Sequence, residues 1–203
     1  LNIETIEIGG LKSALHAMRN PMDSWAKSDT TFDDGVITIG ENDMDLSKRL
    51  QEAGTEHAKH LRMVMVYADI KAPRYWWNEF DTYRAGVEKV SCSTMHKLMA
   101  RPLSEDDFEH ECMNDEYLKD AIASINSSME VWRYSHDQDY KKNVWRGIIQ
   151  ALPQSYLQMR TVMMSYAALR NIVKQREGHK LREWKQFIDW CHTLPESWMI
   201  FGG

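Results

Sequence analysis

One stretch constrains this chain more than any other: RMVMVYADIKAPRYWWNEFDTYR, residues 62–84. An apolar run meets a proline and passes directly into a segment crowded with aromatic rings. Residues 62–70 set Met63, Met65 and Tyr67 opposite Val64, Val66 and Ala68, the pattern of a strand buried on both faces. Pro73 suits the first turn of a helix, where its missing N–H leaves no bond unmade. Residues 73–84 therefore read as a helix entered straight from a strand. On that helix Trp76, Phe80 and Tyr83 share one face, and Tyr75, Glu79 and Thr82 a second. Trp77, Asp81 and Arg84 form a third, where Asp81 and Arg84 are spaced to pair. A surface helix needs only one apolar stripe, and this one is aromatic over more than half its circumference. The expectation is that it packs inward on one side and meets a second subunit, or failing that a ring ligand, on the other.

The rest of the chain supplies alternating strands and helices. Ile3, Ile6 and Ile8 mark a short strand that stops at Gly9 and Gly10. Leu11, Leu15 and Met18 then give a helix ending before Pro21. A turn-rich hairpin follows, and a helix is expected from Asp45 through Met63 with Gly54 as an interruption. Residues 85–98 have no period and read as a loop or irregular strand. Leu118, Ile122, Ile125 and Met129 define a long acidic helix, and another ends at Pro153. Residues 155–164 read as a strand. Leu169, Ile172 and Val173 mark the next helix, and a last one follows Gly178. No linker or repeat divides the chain, so one α+β domain over residues 1–203, with a mixed sheet and long helices, is expected.

Composition narrows the function. A net charge of −5 argues against a nucleic-acid polymer as partner, although one or two placed cations can still hold a mononucleotide. No apolar run is long enough to span a bilayer, and the opening LNIETIEIGG lacks the charged and apolar regions of a leader. Three scattered cysteines form no disulfide framework, so a cytoplasmic setting is expected. Eight Trp and thirteen Met fit an adaptable core, or else an aromatic interface or planar-ligand pocket.

Several residues could carry a site. Arg176 ends a helix, where it either meets a phosphate or complements the helix dipole. His179 follows Gly178 at the start of the last helix, and Arg84 ends the aromatic one. Ser91, Ser93 and Thr94 offer three hydroxyls in one short loop that could hold a phosphate with backbone N–H groups. Cys92 lacks a visible His–Asp arrangement to activate it. His57 with His60, and His110 with Cys112, fall short of a metal-ligand set, and no Gly-rich phosphate loop is present.

The order of elements resembles the flavin-dependent thymidylate synthases (thymidylate synthase-complementing proteins) over roughly residues 45–192. Lys71-Ala72-Pro73 matches that family's Lys-Ala-Pro. Thr82-Tyr83-Arg84 falls where the family has Arg-His-Arg, and Cys92-Ser93-Thr94 where it has Ser-Gly-Arg. Ser165-Tyr166-Ala167 replaces Asn-x-Arg, Arg176 matches the Leu-Arg arginine, and His179 and Glu183 keep the family's His-to-Glu spacing, with Leu181 replacing its glutamine. The resemblance implies a homotetramer that binds FAD between subunits and a deoxyuridine nucleotide. It assigns Arg84 and His179 to the cofactor and Ser91, Ser93, Thr94 and Arg176 to the substrate. NADPH and methylenetetrahydrofolate follow only if the family's one-carbon chemistry survives the lost arginines. No catalytic residue is assigned. The alternative is a non-catalytic oligomeric protein that keeps the scaffold for another ligand or partner.

Overall fold

The computed structural model of the protein describes residues 1–202. In chain order the elements are β1 (Asn2–Gly9), α1 (Leu11–Ala17), β2 (Thr31–Asp33), β3 (Val36–Thr38), α2 (Glu41–Glu52), β4 (Met65–Pro73) and α3 (Arg74–Phe80). There follow β5 (Val87–Ser91), α4 (Thr94–Lys97), α5 (Asp115–Tyr134), α6 (Gln138–Ala151), β6 (Leu157–Ser165), α7 (Tyr166–Arg176), α8 (Arg182–His192) and α9 (Trp198–Phe201). The class is α+β, as the sequence leads one to expect. The four-stranded sheet runs β1-β4-β6-β5, and β2 and β3 form a separate hairpin. The sheet is antiparallel at every pairing rather than mixed. β4 and β5 do run in the same direction, but β6 lies between them, so no two neighbouring strands are parallel.

β4 also departs from its expected burial. Val66, Ala68, Ile70 and Ala72 are fully buried, whereas Met65, Tyr67, Asp69 and Lys71 on the other face are only half covered. Successive side chains alternate across a strand, and here one face alone receives the main core. That core joins β4 and β6 to the buried residues of α3, α7 and α8. Trp76, Trp77 and Trp184 are completely buried in it. The Trp76 ring lies 4.9 Å from Trp184 and 5.0 Å from Phe80, while Trp77 Nε1 donates to the Gln158 carbonyl at 2.9 Å. Trp76, Trp77 and Phe80 thus supply the inward-packing side of α3 that the sequence leads one to expect. The remaining residues of this seven-residue helix, Arg74, Tyr75, Asn78 and Glu79, form its less buried side. A smaller core, with Leu118, Ile125 and Met129 of α5 and Ile148 of α6, includes Leu98, Leu103 and Phe108.

The N-terminal third is held by buried polar groups. α2 begins at Glu41, earlier than expected, because the Asp29 carboxylate accepts from the N–H groups of Asn42 and Asp43 at 2.9 and 3.1 Å. Its end at Glu52, well short of Met63, comes just before Gly54, whose φ of +113° no other residue adopts readily. Fully buried Asp43 pairs with Arg19 at 2.6 Å and accepts from the hydroxyls of Ser28 and Thr30, each at 2.6 Å. Burial pushes its pKa up, yet these hydrogen bonds and the Arg19 charge outweigh it and hold the carboxyl below its ordinary value.

A second buried chain runs from α7 to the turn after α2. Arg170 Nη1 donates to Gln51 Oε1 at 2.6 Å, Gln51 Nε2 donates to Ser47 Oγ at 3.2 Å, and Ser47 Oγ lies 2.8 Å from His60 Nε2. The other ring nitrogen of His60, Nδ1, is buried without a partner. Burial pushes the His60 pKa down to about 4. An unfolded histidine titrates near pH ~6.5, so the unfolded chain binds an extra proton between these values. Stability from this site should be complete at neutral pH and fall as the pH drops from the unfolded value toward the folded one, by at most about 1.4 kcal/mol per pH unit. Urea unfolding of His60→Gln should lack this part of the acid sensitivity. Identical slopes for the two proteins would exclude His60 as its source.

Candidate functional site

The sheet order brings residues from α3, β5, β6, α7 and α8 to one end of the molecule. Glu79, in the last turn of α3, is the hub. Its Oε2 accepts from Arg176 Nη1 at 2.7 Å and from Trp184 Nε1 at 2.8 Å, and lies 3.4 Å from His179 Nε2. Arg176 also donates through Nε to the Tyr83 hydroxyl at 2.7 Å, and its guanidinium lies over the Trp184 ring at 4.4 Å. His179 Nδ1 accepts from the Leu181 N–H at 3.1 Å, which leaves the imidazole proton on Nε2, facing Glu79. Arg176 and His179, named separately from the sequence, are thus neighbours around one carboxylate. Glu79, Tyr83 and Trp184 were not among the candidate site residues, and nothing local distinguished them from core.

Beside this cluster lies a cleft of about 540 Å³ whose polar lining is Asp81, Arg84, Glu88, Lys89, Ser91 and Arg160. Arg160 Nη1 and Lys89 Nζ both reach Asp81 Oδ1, at 2.8 and 2.9 Å. The expected Asp81–Arg84 pair does not form, because β5 and β6 deliver two other cations to Asp81. Arg84 is left exposed, and its side chain makes no hydrogen bond or ion pair among the described residues. Arg160 lies over the Trp77 ring at 4.2 Å and is held by Gln158 Oε1 through Nε and Nη2, so it is fixed in place. Only the pairing of β6 between β4 and β5 puts Arg160 here, and no motif marks it in the sequence.

Arg84 also lines an adjoining cavity of about 400 Å³ with Tyr83, Asn171 and Gln175. That cavity shares Ala85, Ala168 and Asn171 with a third, of about 510 Å³, into which Gln51 and Arg170 also project. Gly86 lines the third cavity with φ +70°, and a Cβ there would come within 2.5 Å of Ser165 Oγ. Only glycine allows this approach.

The Ser91–Thr94 segment is not a single cradle. Ser91 ends β5 and faces the 540 Å³ cleft. Ser93 caps α4, accepting from the His96 N–H at 3.3 Å. Thr94 accepts from Gln158 Nε2 at 3.3 Å and lines a cavity of about 260 Å³ that also includes Arg160 and Arg74. Residues 85–98, read as a loop or irregular strand, thus hold strand β5 and, after Cys92 and Ser93, the single helical turn α4.

Removing Glu79 leaves a largely buried guanidinium and an indole N–H without their acceptor. Glu79→Ala should cost about 2 to 3 kcal/mol, discounted because the pair is partly exposed. Arg84→Ala should stay within about 0.5 kcal/mol of the parent. Denaturant titration of the two variants checks this, and equal losses would remove Glu79 from its central place.

No protein-family model matches the chain, and no curated protein does. Solved structures do match. The flavin dependent thymidylate synthase ThyX from Helicobacter pylori, complexed with FAD and dUMP, superposes with a TM-score of 0.73 at 19% identity, over 100% of this chain and 98% of its own. A second structure, Thymidylate Synthase X (ThyX) from the same organism with FAD and dUMP, gives a TM-score of 0.71 at 18% identity, over 100% and 97%. Over its whole described length the chain has the fold of these flavin-dependent thymidylate synthases.

Proposed function

We propose that this protein is a diverged member of the flavin-dependent thymidylate synthase family that binds FAD and a pyrimidine deoxynucleotide. The observation that carries this reading is the full-length likeness to a protein solved with both FAD and dUMP. The residues here fit such ligands. The 510 Å³ cavity is walled by Ala58, Leu61, Ala85, Ala167 and Ala168, small enough together to admit a flat ring, with Asn171 and Gln51 to bond its edge. Arg84 stands unpaired where the 400 and 540 Å³ cavities meet, available to a phosphate of either ligand. Arg160, Lys89 and Ser91 add donors on the nucleotide side. His179, assigned to the cofactor by the resemblance, turns Nε2 to Glu79 and Nδ1 to the Leu181 N–H, so it keeps no free donor for a ligand. Ser93 and Thr94 shape the turn that carries Ser91. FAD, when bound, would supply hydride transfer to the nucleotide ring.

The same residues weigh against full synthase activity. Thr82 and Tyr83 stand where the resemblance expects cationic or imidazole groups, and Thr94 where it expects an arginine. Arg176 is neutralised by Glu79 and therefore offers an anion little. Each bidentate arginine contact contributes about 1.5 to 3 kcal/mol, so these losses together weaken dUMP binding by decades unless other cations compensate. NADPH and methylenetetrahydrofolate belong to the reading only if that chemistry persists. The engagement of Arg176 by Glu79 favours a second reading, a scaffold without catalysis. A homotetramer in the cytoplasm suits either, with both ligand sites completed across subunits.

Purified protein should absorb at flavin wavelengths or acquire that absorbance on titration with FAD. Arg84→Ala should weaken FAD or dUMP binding about tenfold, equivalent to about 1.4 kcal/mol. Arg182→Ala should not, because Arg182 is paired with Glu109 and Glu111 outside the clefts. Protein that takes up neither ligand would leave only the scaffold reading. In a thymidine-requiring bacterium the chain should fail to restore growth, and robust rescue would show that Arg160 and Lys89 replace the lost arginines in full.

A further inference from the structure

The N-terminal third holds a cleft that none of the residues around Arg84 touches. It encloses about 470 Å³ between α1, the turn that follows it and strand β2. Leu15 and Met63 give it apolar surface, and two aromatic rings, Trp25 and Phe32, form its walls. Both rings stay substantially open to solvent, at 43% and 40% exposure. That openness does not come from looseness. Trp25 Nε1 donates to Asn20 Oδ1 at 2.9 Å, and the His16 imidazole stacks on the indole at 5.7 Å and 10°. An aromatic surface held in one orientation but left uncovered is suited to receive another flat ring.

The charges around it are one-sided. Lys12 and Arg19 line the cleft and no carboxylate does, in a chain with 30 acidic residues against 25 Lys and Arg. The Arg19 charge is already matched by buried Asp43. Lys12 has no ion pair among the described residues, and its ammonium rests 4.9 Å over the Phe32 ring, at the mouth of the cleft. A cavity of this size takes one small molecule and is too small for a helix of another protein. We infer that this cleft binds a small planar aromatic anion, a fused ring bearing a carboxylate or a phosphate. The ring lies against Trp25 and the anion meets Lys12, which swings from Phe32 to reach it.

The inference does not depend on the flavin reading, and the test keeps the two apart. 2-Naphthoate, 2-naphthyl phosphate and uncharged 2-naphthamide are titrated into the full chain by calorimetry. Both anions should bind with Kd of about 100 μM or better, and the amide about tenfold more weakly. The tighter of the two anions identifies the charged group preferred. Trp25→Ala and Lys12→Glu, both at exposed positions, should each weaken anion binding about tenfold while FAD uptake is unchanged. Equal binding of the amide would overturn the inference, as would no binding, or anion binding that survives both substitutions. Loss of naphthoate binding in Arg84→Ala would place the anion in the other cleft. A change in sedimentation of Trp25→Ala would make the aromatic patch a subunit contact. Either result ends the proposal.

Discussion

The arrangement where α3, α7 and α8 meet depends on one carboxylate oxygen. Glu79 Oε2 gathers Arg176 from the end of α7, Trp184 from α8 and the neighbouring His179 onto the short helix α3. A single acceptor shared by an indole and a guanidinium, with a further donor close by, fixes three elements at once. It works here because the guanidinium lies 4.4 Å over the Trp184 ring, which shields the pair from water and strengthens it. The same contact uses up the cation that would otherwise be the most obvious anion site. Structure and ligand binding therefore compete for Arg176, and structure holds it.

The free cationic charge lies instead beside β5 and β6. With β6 inserted between β4 and β5, Arg160 and Lys89 converge on Asp81, and Arg84 is excluded from that pair. Two cations sharing one carboxylate leave a net positive charge in the cleft. Arg84 adds an uncompensated guanidinium, and Glu88 withdraws part of the total. The balance is mildly positive in an acidic protein, enough to favour one phosphate and too little to attract a polyanion.

The N-terminal third follows a different logic. Its hairpin and turns have few buried apolar side chains, and buried ionic and polar contacts take their place. Asp43 alone ties Arg19, Ser28 and Thr30 to α2, and Asp29 caps the same helix. A buried carboxylate that accepts hydrogen bonds from three residues specifies one geometry strongly, because any other leaves a charge unpaired. That rigidity is what allows Trp25 and Phe32 to remain exposed yet ordered beside it.

By itself the sequence determined the class and most of the elements. The strand-proline-helix passage, the Ile-rich first strand, the 155–164 strand and the apolar periods of α5 and α7 each follow from local pattern, and each is present. The sequence also brought Arg84, Ser91, Arg176 and His179 into consideration through element order. Tertiary structure alone decided what these residues do. Whether the rings of α3 face a partner or a core depends on α8, more than a hundred residues later. Whether Arg84 or Arg160 pairs with Asp81 depends on which strand lies beside which. The start of α2 was hidden for the same reason, since its cap comes from Asp29 across a hairpin. Periodicity records which face of an element is apolar, a property of near neighbours in the chain. Charge pairing is decided by strand order and packing, which connect residues with no local relation at all.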